Sequence, residues 1–177
     1  MCVGKGKKCS GFCKLDRFFQ SHMNHTEKIS EFLRLKTIAV TGVSSGQPDA
    51  ANIIFRKFKD AGYLTFPVNP KTSHVEGVSC YPDLGSLPDT PEGVMIASPP
   101  ASARSIIEEC LKLGIEYVWF HSSINQGSLD NDAATYGEEN GMKVIRTGCP
   151  MMYVAPVDFG HKCIKWVLNL TGKVPKN

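Results

Sequence analysis

The sequence predicts an α/β chain built on a doubly wound parallel sheet of about five strands, with helices on both faces. From Thr37 onward, short apolar runs rich in β-branched and aromatic residues alternate with amphipathic stretches of helical length. The runs carry no polar alternation, which is the pattern of strands covered on both sides. The three long helical stretches end on Gly62, Gly114 and Gly141, each leading into the next run. Glycine at that place accepts the left-handed backbone of a helix end. Strand, helix, strand order then produces parallel pairing through right-handed crossovers, so the expected architecture is Rossmann-like, with three αβα layers.

Residues 1–25 mix Cys, Lys, Gly and Ser without periodicity and read as an N-terminal extension preceding a single domain over 26–177. A short helix follows, with Thr26 as its cap and Ile29, Phe32, Leu33 and Leu35 as its apolar face. The expected strands are Thr37–Val40, Leu64–Val68, Val94–Ala97, Tyr117–Phe120 and Lys143–Ile145, and the helices between them lie near 48–61, 101–113 and 128–140. Pro82, Pro88 and Pro91 make the stretch 68–93 a loop or one short turn. A last helix over 158–171 presents Phe159, Cys163, Trp166, Val167 and Leu170 before Gly172. Packing on its own domain is its simplest role.

Composition narrows the function classes. At 177 residues, with 42% hydrophobic and 21% charged, the chain can bury one sizeable core. Its formal net charge of +3 comes mostly from Lys5, Lys7, Lys8, Lys14 and Arg17 at one end, which is no nucleic-acid footprint. No stretch reaches the roughly 20 apolar residues of a membrane span, and no secretory h-region is present. A cytoplasmic protein without membrane or nucleic-acid partners is expected. Seven cysteines form an odd set in a chain with ample core, so reduced thiols are expected rather than a disulfide framework.

In an open parallel sheet, ligands bind outside the carboxyl ends of the strands. After strand one comes Thr41-Gly42-Val43-Ser44-Ser45-Gly46-Gln47-Pro48-Asp49, whose amides and following helix N-terminus suit a phosphate; it is otherwise a plain strand-to-helix turn. After strand two, where an NAD enzyme places an acidic residue on the ribose diol, stand Asn69, Pro70 and Lys71. A cation with a neutral hydrogen-bonding group suits a phosphorylated ribose; the alternative is a loop stiffened by prolines with Lys71 in solvent. Strand three ends in Ser98-Pro99-Pro100, which either forms a flat wall for an adenine ring or only starts a helix. Strand four ends in His121, either a general base or a hydrogen-bonding and structural residue.

In this order these residues resemble the CoA-binding domain family, small Rossmann-like proteins similar to the N-terminal domain of the succinyl-CoA synthetase alpha subunit. The resemblance covers roughly 33–153. It is carried by Gly42-Val43-Ser44, Gly62-Tyr63 leading to Pro67-Val68-Asn69-Pro70, Gly77 and Tyr81, Ser98-Pro99-Pro100, and Gly114 leading to Val118-Trp119. It implies coenzyme A or an acyl-CoA as the ligand, with Gly42 and Ser44 facing the diphosphate. It also implies Asn69, Pro70 and Lys71 near the adenosine phosphate, and Ser98 and Pro99 beside the nucleotide. The pattern departs after strand four, where many relatives carry Gln and Gly and this chain has His121-Ser122-Ser123. The synthetase's second domain has no room here, so the resemblance implies binding and not the ligase reaction.

The leading expectation is therefore a CoA or acyl-CoA binding protein without evident catalytic machinery, a monomer or homodimer, with a protein partner as one source of any catalysis. The cofactor-binding candidates are Gly42, Val43, Ser44, Ser45, Asn69, Pro70, Lys71, Ser98, Pro99, Pro100 and His121. Two alternatives stand beside it. One is an NAD(P)-type nucleotide-binding protein. The other is a small serine hydrolase, because Gly42-Val43-Ser44-Ser45-Gly46 matches a G-x-S-x-G elbow, although Pro48 sets the helix start too late for one. Cys2, Cys9, Cys13, His22 and His25 form either a zinc site of non-standard spacing or a basic tail with incidental cysteines. Cys149, after strand five, is either a packed thiol or one placed for a mixed disulfide with the cofactor.

Overall fold

The computed structural model describes residues 23–46, 49–122 and 127–157. Gln47, Pro48, the stretch 123–126, the first 22 residues and the residues from 158 on, where a last helix over 158–171 is expected, lie outside the described residues. Four helices of two turns or more and seven strands are found among those described: α1 (His25–Phe32), β1 (Thr37–Thr41), α2 (Ala50–Asp60), β2 (Leu64–Val68), β3 (His74–Val75), β4 (Val78–Ser79), β5 (Gly93–Ile96), α3 (Ala103–Leu113), β6 (Tyr117–Phe120), α4 (Asn131–Glu139) and β7 (Lys143–Ile145).

Five strands form one parallel sheet in the order β2-β1-β5-β6-β7. Apolar side chains leave both of its faces. Phe66, Val94, Ile96, Val118 and Phe120 pack with Ile107 and Cys110 of α3 and Ala133 and Ala134 of α4. Val40, Met95 and Trp119 pack on the other face with Ile29 and Phe32 of α1 and Ile54, Phe55 and Phe58 of α2. The result is the three-layer αβα, Rossmann-like arrangement, and it explains why the strand residues read as continuous apolar runs. Pro67 sits on β2, the edge strand, where its missing N–H leaves no ladder bond unmade.

Trp119 is fully buried; its indole N–H donates to the Gly148 carbonyl at 3.1 Å, and its ring meets Phe32 edge-on at 5.4 Å. α1 ends over Gly93, where a Cβ would stand 2.6 Å from Leu35 Cδ1 and 3.0 Å from Phe32 Cε2. That need for space brings glycine into the first position of β5, one residue before the apolar run.

Three expectations are corrected. The cap of α1 is Asn24, not Thr26: its side chain accepts from Glu27 N–H at 2.9 Å, and the Glu27 carboxylate accepts from Asn24 N–H at 3.0 Å. A cap at Thr26 would have put Ile29 where that reciprocal carboxylate is needed. The stretch 68–93 is more than a loop, because β3 and β4 pair as an antiparallel hairpin. Its turn uses Glu76 at φ 50° and Gly77 at φ 79°, the two left-handed residues of a tight hairpin. Finally, α3 and α4 begin at Ala103 and Asn131, later than their sequence signals. A short 3-10 turn over Pro100–Ser102 precedes the first, and Asp130 caps the second.

At the opposite end of the sheet from the strand tips, Glu31 accepts hydrogen bonds from Tyr117 Oη at 2.9 Å and Lys143 Nζ at 3.1 Å, tying α1 to β6 and β7. Burial pushes the Glu31 carboxyl up, but the bonds from Tyr117 and Lys143 more than offset this and hold it below its ordinary value. A carboxylate depressed in the folded state adds stability above its unfolded pKa, and that stability is lost as pH falls through the folded pKa. Glu31→Gln is therefore expected to cost roughly 1 kcal/mol near pH 7. The difference from wild type should close as urea denaturation is repeated at successively lower pH through the carboxylate range; a difference constant with pH would contradict this role.

Candidate functional site

The strand order places a topological switch between β1 and β5: β1 is followed by a connection to β2 on one side, and β5 by one to β6 on the other. The loops leaving β1 and β5 diverge there, and a crevice opens at their carboxyl ends. Gly42, the first residue after β1, has φ 86°, and a Cβ on it would lie 2.8 Å from both Cα and N of Ser98. Its N–H donates to the Val68 carbonyl at 2.9 Å, so the same residue also continues the contact with β2. Thr41 Oγ1 and Ser98 Oγ lie 3.1 Å apart, and Ser102 Oγ donates to Ser98 Oγ at 2.8 Å. Glycine is thus required at position 42 by a backbone approach within the protein itself.

The loop after β1 is clamped from α2. Buried Asn52 accepts from the Ser44 N–H at 3.1 Å and donates from Nδ2 to the Ser44 carbonyl at 2.9 Å and to Glu76 Oε1 at 3.1 Å. Asp49 caps α2, its carboxylate accepting from Asn52 N–H at 3.2 Å. Asn69 joins this loop to the one after β2: its Nδ2 donates to the Val43 carbonyl at 2.8 Å and its Oδ1 accepts from Lys71 N–H at 2.9 Å. The main chain of Asn69 also pairs with Tyr81, whose carbonyl accepts at 2.8 Å.

Two clefts flank the contact of Gly42 with Ser98. The first, of ≈ 660 Å³, opens on the α3 side and is lined by Thr41, Gly42, Asn69, Pro70, Lys71, Ser98 and Pro99, with Leu84 and Ile106 as apolar wall and Asp83, Ser102 and Glu109 at its border. The second, of ≈ 440 Å³, opens on the α2 side and is lined by Gly42, Ser98, Pro99, Pro100, His121 and Ser128, with Asp49, Ala50, Ala51 and Ala97. The loops after the first three major strands therefore converge.

Eight of the eleven candidate residues, Gly42, Asn69, Pro70, Lys71, Ser98, Pro99, Pro100 and His121, line one cleft or both. Val43 instead lies fully buried in the α1/α2 core, and Ser44 and Ser45 line neither cleft. His121 is 5% exposed, and burial holds its imidazole below the ordinary histidine value. The elbow expected of a serine hydrolase does not form at Ser44. The chain runs five residues further to the Asp49 cap before α2 begins.

Asn52, Asp83, Ser102 and Glu109 are absent from the sequence-based expectations, and Thr41 enters them only as the first residue of the loop after strand one. Asn52 carried a signal, a polar residue beside the apolar face of Ala51, Ile54, Phe55 and Phe58. Asp83 and Glu109 lie on segments that only the tertiary fold brings to the cleft. Of the cysteine and histidine cluster near the N-terminus only His25 is described, Cys2, Cys9, Cys13 and His22 lying outside, and no group of three metal-binding side chains occurs among the described residues. Cys149 is 8% exposed and lines neither cleft. Burial pushes the Cys80 and Cys110 thiols up, away from thiolate chemistry. No helix among the described residues is long and apolar enough to cross a membrane.

Gly42→Ala tests the contact on which both clefts depend. A left-handed non-glycine backbone alone costs of order 1–3 kcal/mol, and the new Cβ meets backbone that has no rotamer to yield. Chemical denaturation should therefore report a loss at or above that range, whereas Gly46→Ala, with open space around the site, should change stability by less than about 0.5 kcal/mol. Equal effects at both positions would contradict the assignment.

A profile described as "CoA binding domain" matches residues 36–155. The ADP-forming acetate–CoA ligase I of Archaeoglobus fulgidus is 23% identical over 120 residues, 64% of this chain and 18% of the ligase, so the chain spans less than a fifth of that relative. The Bacillus subtilis protein YneT, described as uncharacterized, is 28% identical over 123 residues, 69% of this chain and 88% of YneT. A solved structure of a hypothetical protein from Pyrococcus horikoshii OT3 superposes with a TM-score of 0.65 at 28% identity, covering 72% of this chain and 87% of that one. With the profile spanning its whole parallel sheet, the chain belongs to the CoA binding domain family.

Proposed function

We propose that the chain binds coenzyme A or an acyl-CoA across the β1/β5 switch point, with the adenosine end in the larger cleft. The observation that carries this reading is the cleft itself. Three strand-end loops deliver to one crevice a cation, an amide side chain, two hydroxyls and a proline wall, as Lys71, Asn69, Thr41, Ser98 and Pro99. Lys71 is the cation for a ribose phosphate, and its backbone N–H is held by Asn69 at the cleft. Pro99, Leu84 and Ile106 line the same space and give it apolar walls of the kind an adenine ring packs against.

Asn52 occupies the amide of Ser44, and among the described residues the amides of Val43 and Ser45 donate to no protein group. With the amide of Gly46, likewise unengaged among the described residues, they are the donors that the described part of this loop offers a diphosphate. Asp49 is a counterweight, since its carboxylate already occupies the α2 N-terminus, so a diphosphate sits over the loop rather than on the helix cap. Binding is the function proposed. The ligases' reaction belongs to proteins of which this chain matches less than a fifth.

Calorimetric titration of the full chain with CoA, 3′-dephospho-CoA, NAD and NADP tests the reading. CoA is expected to bind more tightly than either dinucleotide. Lys71→Ala should weaken CoA about tenfold, the effect of losing one charge-assisted hydrogen bond, while dephospho-CoA changes by less than about threefold. No heat with any CoA species, or tighter binding of NADP, would overturn it.

A further inference from the structure

The second cleft holds a buried polar group that no described residue engages. The main chain of His121 is fully engaged, its N–H donating to the Ile96 carbonyl at 2.9 Å and its carbonyl accepting from Ser128 N–H at 2.8 Å. Its imidazole is not: among the described residues no group hydrogen-bonds the ring, although the residue is only 5% exposed. Along β6, Val118 and Phe120 point into the α3/α4 core and Trp119 into the α1/α2 core. Continuing that alternation turns His121 to the α2 side, where the second cleft opens. A buried ring nitrogen without a partner is costly, and a ligand atom of the right kind would relieve it.

We infer that the second cleft is an acyl pocket, receiving the thioester end of a short, uncharged acyl-CoA whose carbonyl oxygen accepts a hydrogen bond from a ring N–H of His121. The inference rests on the CoA reading above and names the ligand class of the same site. The two clefts meet at Gly42, Ser98 and Pro99, so a pantetheine arm crossing that saddle joins an adenosine end on the α3 side to an acyl end on the α2 side. A thioester carbonyl is a full acceptor, whereas a free thiol is a weak donor and weak acceptor, so the buried imidazole favours the acylated form. Burial keeps the ring in its neutral form near pH 7, with one nitrogen donating.

The walls select among acyl groups. Ala50, Ala51 and Ala97 offer only methyl groups, so a long acyl chain gains little more apolar burial there than a short one. The Asp49 carboxylate borders the same cleft, so an acyl group ending in a carboxylate meets a like charge.

The test is calorimetric titration of the full chain with CoA, acetyl-CoA and succinyl-CoA at pH 7.5. Wild type should bind acetyl-CoA about tenfold more tightly than CoA, the effect of one hydrogen bond to a buried group, and succinyl-CoA less tightly than acetyl-CoA. In His121→Ala the ratio of acetyl-CoA to CoA affinity should fall to near one, and His121→Gln, which keeps an N–H donor, should restore part of it. Asp49→Asn keeps a capping acceptor for α2 and should bring succinyl-CoA to within about threefold of acetyl-CoA, a readout independent of how the His121 variants fold. CoA binding with no acetyl preference in wild type, or a preference that survives His121→Ala, overturns the acyl pocket and leaves the CoA reading standing. No binding of any CoA species overturns both.

Discussion

The approach of two backbones at Gly42 and Ser98 is the constraint on which the rest of the site depends. It sits where the strand order reverses, between β1 and β5. A Cβ on residue 42 would lie only 2.8 Å from the Ser98 backbone, so the two loops touch as main chain against main chain. That contact forms a ridge with a cleft on each side, and it brings Thr41, Ser98 and Ser102 into one hydroxyl chain. Everything proposed for a ligand crosses this ridge.

Around it, the loops are held by hydrogen bonds from two asparagine side chains. Asn52 reaches from α2 to both polar groups of Ser44 and on to Glu76, so the β1 loop and the β3/β4 hairpin share one anchor. Asn69 does the corresponding work between the loops after β1 and β2. The hairpin turn keeps Glu76 in a left-handed conformation, which its bonds to Asn52 and its ion pair with Arg56 at 3.7 Å help to hold. Order in this region comes from hydrogen-bonded anchors in the loops, and Lys71, Pro99 and His121 stand on the cleft walls.

Much of the architecture was legible in the residues because hydrophobic runs such as Val118-Trp119-Phe120 are unambiguous when both sheet faces are covered, and because Gly62, Gly114 and Gly141 mark helix ends. The hairpin at His74–Ser79 was not legible: each arm is two residues long, too short for any periodicity to register. The cap of α1 was misplaced by two residues because Thr26 is as good a capping side chain as Asn24 in isolation, and only the partner at Glu27 decides between them. At the site, the glycines, prolines and Lys71 were readable from their places after strands. Ser44 looked like a phosphate contact by the same logic, yet its amide is taken by Asn52, eight residues further along, a pairing that only the folded loop shows. Asp83 and Glu109 come to the cleft only through packing of α3 against the segment before β5.

Membership of the CoA binding domain family and the geometry of the switch point are the two supports of the proposal that a phosphorylated adenosine ligand lies over the loops after β1, β2 and β5. Hydrogen–deuterium exchange of the full chain with and without saturating CoA measures this most directly, because the amides of Val43, Ser45, Lys71 and Ser102 sit on the three loops in question. The account predicts CoA-dependent protection confined to those loops and the start of α3. Protection centred instead on the Glu31, Tyr117 and Lys143 end of the sheet, or no change at all, would contradict it.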